Sequence, residues 1–157
     1  MPVTEAPAVV YVDDDTINLK VFEANFKTRF RILTCARGAA ALELLRGRAD
    51  VGVLITDQRM LGMNGVELLE QVRLEFPDVQ RMIVTAYSDF GALVASVNRG
   101  QVSRYVVKPW MREEFLAAIE DALKIHELQT RVRAAQLRLR GSERLATIGQ
   151  VSAGVAH

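Results

Sequence analysis

The chain has 157 residues, of which 50% are hydrophobic and 25% charged, and its formal net charge is +1. This length suits one domain with an extension, and the nearly balanced charge excludes a global field that would favour nucleic acid or membrane surfaces. A single cysteine, Cys35, excludes a disulfide framework within the chain. Because no apolar run approaches the roughly 18 residues of a membrane span and residues 1–7 lack a signal-peptide pattern, we expect a cytoplasmic location.

Short apolar runs alternate with helical stretches from about residue 8 to residue 125. Continuous apolar strands of this kind are typical of a buried parallel sheet. Five βα units with right-handed crossovers predict an α/β fold of the flavodoxin-like class, with the doubly wound sheet order 2-1-3-4-5 and an extended C-terminal helix. In chain order we predict strand 8–12, helix 16–28, strand 31–34, helix 39–46, strand 51–56, a helix from 64 to just before 77, strand 81–85, helix 89–98, strand 104–107 and a helix after 109.

Polar residues stand where four of the apolar runs end. Asp13 and Asp14 follow the first strand, Asp57 the third, Thr85 ends the fourth, and Lys108 follows the fifth. Because the carboxyl ends of parallel strands share one edge of the sheet, we expect these side chains to converge in one pocket. Carboxylates combined with one cation and one hydroxyl group are suited to a divalent metal and a phosphoryl group.

Each of these residues also has a simpler interpretation when it is taken singly. The run Asp13-Asp14-Asp15 could cap a helix, Asp57 could end a strand, and Thr85 and Lys108 could be ordinary surface residues. Tyr105 could be half-buried packing. Their joint occurrence, in order and each at a strand end, favours the pocket.

The segment from about residue 8 to residue 125 resembles the receiver domains of bacterial two-component signalling. No single motif is specific, but the motifs occur in the family's order and with similar spacing. They are Val12-Asp13-Asp14, Thr56-Asp57 with Met60 and Gly65 downstream, Thr85-Ala86, and Tyr105-Val106-Val107-Lys108-Pro109.

The resemblance implies a phosphoacceptor site that requires a metal ion. Asp57 would be the nucleophile and would take a phosphoryl group from a phosphohistidine of a donor protein or from a small phosphodonor. Asp13, Asp14 and Asp57, together with the backbone carbonyl of Arg59, would hold Mg²⁺, which Mn²⁺ could replace.

The resemblance also implies how the phosphoryl group is held and sensed. Lys108 and Thr85 would bind phosphoryl oxygens, and Thr85 with Tyr105 would form the switch. The peptide bond before Pro109 would be cis.

The loop after the phosphoacceptor departs from the family pattern. Leu61 stands where a proline is usual, and Asn64 stands where an acidic residue is common. Arg59 and Tyr87 lie at positions that tune the lifetime of the phosphoryl group in the family. We expect these two bulky side chains to slow hydrolysis.

The last predicted helix continues beyond the receiver-like segment to Arg140. Its apolar residues recur at alternating spacings of three and four, which indicates a coiled-coil seam and a homodimer. The arginines beside the seam are typical of a solvated flank; a nucleic-acid patch is the alternative, but no aromatic residues are interleaved. Gly141-Ser142 is expected to break the helix or to shift its register, and a further helix could then cover 143–156. The seam residues are Ile125, Leu128, Val132, Ala135 and Leu139.

Residues 144–157 resemble the start of a dimerisation and histidine phosphotransfer helix, in which His157 would be the phosphoacceptor. The alternative is an ordinary helix with a histidine as its last residue. The expected organisation is a tail (1–7), a receiver domain (8–124), a helical coiled-coil linker (125–141) and the start of a kinase helix (142–157). We therefore expect part of a histidine kinase with an N-terminal receiver, without an ATP-binding domain in these residues.

Two other functions remain open from the sequence. A phosphatase of the haloacid dehalogenase type would place its nucleophile within Asp13-Asp14-Asp15 and would give Asp57 no role. A receiver-like module that only dimerises would lack one of the acidic residues or the lysine, and all of these are present.

Overall fold

The computed structural model describes the backbone of residues 6–156 and the side chains of residues 6–143. Five parallel strands form one sheet in the order β2-β1-β3-β4-β5, which confirms the predicted flavodoxin-like α/β fold. The strands are β1 (Ala8–Val12), β2 (Arg31–Cys35), β3 (Val51–Asp57), β4 (Gln80–Ala86) and β5 (Arg104–Lys108). The helices are α1 (Thr16–Phe26), α2 (Gly38–Arg46), α3 (Gly65–Glu75), α4 (Tyr87–Ser96) and α5 (Arg112–Ala156).

Both faces of the sheet are covered, which explains why its central strands are apolar without alternation. On one face α2 and α3 pack through buried leucines, among them Leu42 and Leu68. On the other face α1 and the first turns of α5 contribute Phe22, Phe26 and Phe115. Successive side chains of a strand point to opposite faces of the sheet. Neighbouring residues of β1 and β3 therefore belong to different hydrophobic clusters.

An aromatic cluster fixes α1 against the sheet close to the carboxyl end of β1. The Phe22 ring stacks on the Tyr11 ring with centroids 4.1 Å apart and planes 9° apart. Phe115 of α5 meets Phe22 edge-on at 5.5 Å. Such pairs stabilise beyond their area burial, by about 0.5–1.5 kcal/mol, and this cluster determines where the Tyr11 hydroxyl group points.

The ends of the elements follow local signals, with small shifts from the prediction. Asp15 caps α1 by accepting from the Ile17 N–H, and Asn64 caps α3 in a reciprocal capping box with Glu67. β3 and β5 each extend one residue further than predicted, so that Asp57 and Lys108 are their last residues.

The predicted bounds of α4 are wrong by two residues at each end, since the helix covers Tyr87–Ser96 rather than 89–98. Val97 is already extended. The chain after it is held by the buried side chain of Gln101, which accepts from the Asn98 N–H at 2.8 Å and donates to the Val66 carbonyl oxygen at 2.7 Å. This long-range contact ends the helix earlier than the local sequence indicates.

The prediction of a separate helix from Glu143 is also wrong, because the helical backbone of α5 continues through Gly141 and Ser142. One glycine in a helix interior costs only about 1 kcal/mol relative to alanine, which neighbouring helix formers can offset. The chain divides into two units, one up to residue 126 and one from residue 127. No helix in the described part of the chain is both long and apolar enough to cross a membrane.

Candidate functional site

The carboxyl edge of the sheet brings together four of the predicted site residues. Asp13 follows β1, Asp57 ends β3, Thr85 lies near the end of β4 and Lys108 ends β5. Asp13, Asp57 and Thr85 are buried, with exposures of 1%, 6% and 2%. The Lys108 Nζ atom lies 2.5 Å from Asp57 Oδ1. Residues that are 95 positions apart in the sequence, from 13 to 108, therefore share one polar site.

Asp57 is a carboxylate under opposing influences. Burial raises the pKa of its carboxyl group, and the charge of Asp13 raises it further. The Lys108 ammonium group and the Arg59 backbone N–H, which both donate to the carboxylate, lower it without cancelling the increase. The carboxylate is thus poorly solvated and depends on Lys108 for its main charge compensation.

Asp13 is oriented by three hydrogen bonds that reach both of its oxygens. The Tyr11 hydroxyl group and Asn18 Nδ2 donate to Oδ2, each at 3.1 Å, and the Asp15 N–H donates to Oδ1 at 2.9 Å. Burial, followed by the charge of Asp13, holds the pKa of Tyr11 far above its usual range, so the hydroxyl keeps its proton and donates.

Neither Tyr11 nor Asn18 was among the site residues predicted from the sequence. A signal for Tyr11 was present: it stands two residues before Asp13 in an otherwise aliphatic strand, and residues two apart on a strand point to the same side. For Asn18 no comparable signal existed, because its contact depends on how α1 leaves the sheet.

Asp14, the second predicted metal ligand after β1, binds the loop after β3 through a backbone N–H. Its side chain is exposed, and Oδ2 accepts from the Leu61 N–H at 3.0 Å, which joins the loop after β1 to the loop after β3. Within the part of the chain that is described, no three carboxylate, histidine or cysteine side chains are grouped so as to hold a metal ion. The donor chemistry nevertheless fits Mg²⁺, which is usually bound through one or two carboxylates and several waters.

The predicted switch residues lie on the strands beside the site. Thr85 Oγ1 makes a long hydrogen bond of 3.4 Å to the Ala86 carbonyl oxygen. Tyr105 on β5 is half-buried and meets Phe90 of α4 edge-on, with ring centroids 5.6 Å apart. The Lys108–Pro109 peptide bond is cis.

A cavity of about 460 Å³ opens beside Lys108 on the side of α1. Its lining is mainly apolar, and it places the single tryptophan, Trp110, close to the polar site. The lining residues are Tyr11, Asn18, Val21, Lys108, Pro109 and Trp110.

The two predicted lifetime residues differ in their contacts. The Arg59 side chain turns to α4 and forms a bidentate ion pair with Asp89, with both N···O distances 2.8 Å. The Tyr87 side chain, at the first residue of α4, is 82% exposed. His157, the predicted phosphoacceptor of a kinase helix, lies outside the described residues.

A doubly wound parallel sheet with buried carboxylates and a lysine at its carboxyl edge is the architecture of a receiver domain. The chain belongs to the response regulator receiver domain family, whose model matches residues 9–120. It is therefore a receiver domain of two-component signalling, and this assignment favours that interpretation over the phosphatase alternative.

Proteins of several kinds contain a segment that is similar to this chain. The chain is 33% identical over 134 residues to the hydrogenase transcriptional regulatory protein HoxA of Cupriavidus necator, covering 85% of this chain but only 28% of that protein. It is 33% identical to a chemotaxis protein CheY homolog of Campylobacter jejuni over 117 residues, 71% of this chain and 89% of that one. A solved structure described as adenylate cyclase from Rhodopirellula baltica has a TM-score of 0.75 at 31% identity, covering 80% of this chain and 93% of that one.

Proposed function

We propose that this chain accepts a phosphoryl group on Asp57 as a module of a two-component phosphorelay. The main support is the buried Asp57 carboxylate at the end of the middle strand, with the Lys108 ammonium group 2.5 Å away. In the transfer, an Asp57 oxygen bonds to the phosphorus of a donor phosphohistidine, the P–N bond breaks, and its electron pair stays with the imidazole. Lys108 and the Thr85 hydroxyl group would then contact phosphoryl oxygens.

Mg²⁺ is the cofactor that we propose for this site, and Mn²⁺ could replace it. Asp13, Asp14 and Asp57 would supply carboxylate oxygens, and Arg59 would supply its backbone carbonyl. When bound, the metal offsets repulsion between these carboxylates and the phosphoryl oxygens. The chain's own contribution is to fix the direction of the Asp13 carboxylate through Tyr11.

We expect Tyr11→Phe to weaken Mg²⁺ binding by about tenfold, because groups that orient a metal ligand typically contribute that much or more. The substitution removes only the hydroxyl that donates to Asp13 at 3.1 Å and keeps the ring that stacks on Phe22. Titration of Trp110 fluorescence with Mg²⁺ measures the dissociation constant without any phosphodonor.

Tyr105→Phe is the matched control, since it removes a tyrosine hydroxyl from β5 that makes no contact with Asp13 among the described hydrogen bonds. We expect its Mg²⁺ affinity to stay within about twofold of the wild-type value. Equal affinities of the wild-type chain and Tyr11→Phe would contradict the orienting role of the hydroxyl.

Phosphorylation is proposed to shift the population between two arrangements of α4, β5 and the start of α5. Thr85 would draw towards the phosphoryl oxygen, and Tyr105 would turn inward from its half-buried position against Phe90. The signal would then leave through the C-terminal helix.

The output is proposed to be a histidine kinase with an N-terminal receiver. The support is the likeness of residues 144–157 to the beginning of a kinase dimerisation helix, with His157 as its phosphoacceptor. The alternative is a regulator of another kind, since HoxA is named as a transcriptional regulator and this chain spans 28% of it. Any residues that the gene encodes after position 157 would distinguish the two, because a kinase helix would continue with Glu, a few residues and Asn-Pro.

We propose that the linker over 125–141 forms a homodimer in the cytoplasm, without nucleic acid as a partner. Four seam side chains, Ile125, Leu128, Val132 and Leu139, are between 44% and 61% exposed in the single chain. A narrow apolar stripe of this kind on an isolated helix is expected to pair with a second copy. We propose the domain organisation tail 1–7, receiver 8–124, linker 125–141 and, over 142–157, the start of a kinase helix.

The proposed function is tested by incubating the chain with Mg²⁺ and a small phosphodonor such as acetyl phosphate and measuring its intact mass. We expect one added phosphoryl group in the wild-type chain and none in Asp57→Asn. Asp121→Asn is the matched control, because this carboxylate is 66% exposed and contacts Arg104 outside the site. It should take up the phosphoryl group at the wild-type rate.

Two other outcomes of this experiment would each support a different function. Uptake that survives in Asp57→Asn and disappears in Asp13→Asn would support a nucleophile at the first strand, as in the phosphatases. No uptake by the wild-type chain from either acetyl phosphate or a phosphohistidine protein would support a module that only dimerises.

A further inference from the structure

The exposed ion pair between Arg59 and Asp89 joins the two chain segments that leave the sheet beside the phosphoacceptor. Arg59 lies in the loop after β3, and Asp89 lies in the first turn of α4, directly after β4. Nε and one terminal nitrogen of the guanidinium donate to the two oxygens of the carboxylate, each at 2.8 Å. A planar, two-point contact of this kind fixes the direction of the arginine side chain as well as its distance.

Asp89 is a firm attachment point for this side chain. It occupies the third position of α4, whose first turn favours a negative charge, and its side chain is only 25% exposed. The Arg59 side chain is 82% exposed and is therefore the partner that would move if the contact were lost. Together the two residues line a cleft of about 330 Å³ between the loop and α4.

Arg59 is also connected to the nucleophile through its backbone. Its N–H donates to the Asp57 carboxylate, while its side chain reaches α4. β3 and β4 are neighbours in the sheet, with Asp57 opposite Val84. The side chain thus crosses from the segment that follows Asp57 to the segment that follows Thr85.

We propose that Asp89 is a positioning residue that lengthens the lifetime of the aspartyl phosphate. It holds the Arg59 side chain between the segment that follows Asp57 and the segment that follows Thr85, and the side chain in this position limits the approach of water to phosphorus. In the hydrolysis a water oxygen bonds to phosphorus, the bond from phosphorus to the Asp57 oxygen breaks, and the carboxylate, inorganic phosphate and a proton result. The inference rests on the proposed function of Asp57. Asp89, which is not among the groups that contact the Asp57 carboxylate, would thus affect the rate at which the phosphoryl group on Asp57 is hydrolysed.

The test is the rate of dephosphorylation after removal of acetyl phosphate, followed by intact mass in Mg²⁺. We expect Asp89→Asn and Arg59→Ala each to hydrolyse about fivefold faster than the wild-type chain, because either substitution removes the ion pair that holds the Arg59 side chain. The double variant should be no faster than either single variant, because both remove the same contact.

Three further measurements separate positioning from a general loss of structure. The charge exchange Arg59→Glu with Asp89→Arg should return the rate to within about twofold of the wild-type value, since the pair is restored. High salt should accelerate hydrolysis in the wild-type chain and much less in Asp89→Asn. Glu120→Gln, which removes a similarly exposed pair with Arg29, is the matched control and should change nothing.

The result that overturns the inference alone is phosphoryl uptake on Asp57 followed by wild-type decay in Asp89→Asn. Additive accelerations in the double variant would overturn it as well. Absence of uptake by the wild-type chain overturns the proposed function, and this inference with it.

Discussion

Lys108→Ala is expected to slow phosphoryl transfer to Asp57 by about two to three orders of magnitude, the usual cost of removing one group that stabilises developing negative charge. Lys108 Nζ lies 2.5 Å from the carboxylate, which is otherwise buried and repelled by Asp13. Without the ammonium group, the phosphoryl oxygens would meet the side chains of Asp13, Asp57 and Thr85, none of which carries a positive charge. The rate of phosphoryl gain from acetyl phosphate in Mg²⁺, measured by intact mass, gives the factor.

Two variants keep this prediction interpretable. Lys20→Ala removes an exposed lysine from α1, outside the site, and should leave the rate unchanged. Lys108→Arg keeps the charge but not the compact ammonium geometry, so we expect an intermediate rate. An unchanged rate in Lys108→Ala, with a folded protein by circular dichroism, would show that the lysine does not contribute to transfer.

The sequence was sufficient for the sheet and for the placement of polar residues at its carboxyl edge because both depend on local patterns. Apolar runs of strand length located the strands, and polar residues at the ends of four of these runs marked the carboxyl edge. Asp57, Thr85 and Lys108 are found at that edge. A rule about strand ends thus locates side chains that are distant in sequence, provided that the topology is known.

The contacts that adjust the site could not be predicted, because they depend on geometry between elements. The pairing of Arg59 with Asp89 joins residues 30 positions apart. Gln101 holds the chain after α4 by donating a hydrogen bond to the Val66 carbonyl oxygen, 35 positions away. Because of this contact α4 ends earlier than the sequence predicted. Nothing in the neighbouring residues indicates either partner, so only the folded structure shows them.

These contacts hold the two ends of α4 in different ways. An exposed ion pair, Arg59–Asp89, holds the N-terminal end, and exposed pairs contribute only about 0–1 kcal/mol. Buried hydrogen bonds of Gln101 and Arg81 hold the loop that follows the C-terminal end. Fewer contacts of the described residues thus hold the N-terminal end of α4, beside Thr85, than hold the loop that follows its C-terminal end.

Arg81→Met is expected to destabilise the receiver unit by about 3 kcal/mol, because it leaves buried carbonyl groups without donors. Arg81 lies on β4 with an exposure of 9%, and its guanidinium donates to backbone carbonyl oxygens of the loop before β4 and the loop before β5. Burial lowers the pKa of this arginine, which indicates that its hydrogen bonds offset a real desolvation cost. The acceptors are Gln101 at 3.0 Å, Val79 at 2.8 Å, Gly100 at 2.8 Å and Pro77 at 3.4 Å.

Urea unfolding followed by circular dichroism measures this effect as a lower midpoint with an unchanged slope. Arg73→Met is the matched control, since its pair with Glu70 lies within α3 at 2.6 Å, and we expect it to change the urea midpoint much less than Arg81→Met does. Methionine keeps most of the aliphatic length of arginine in both variants, so their difference isolates the hydrogen bonds. If both variants lost equally little stability, the carbonyl groups around Arg81 would have to be reached by water, and these hydrogen bonds would not be what holds the loop after α4.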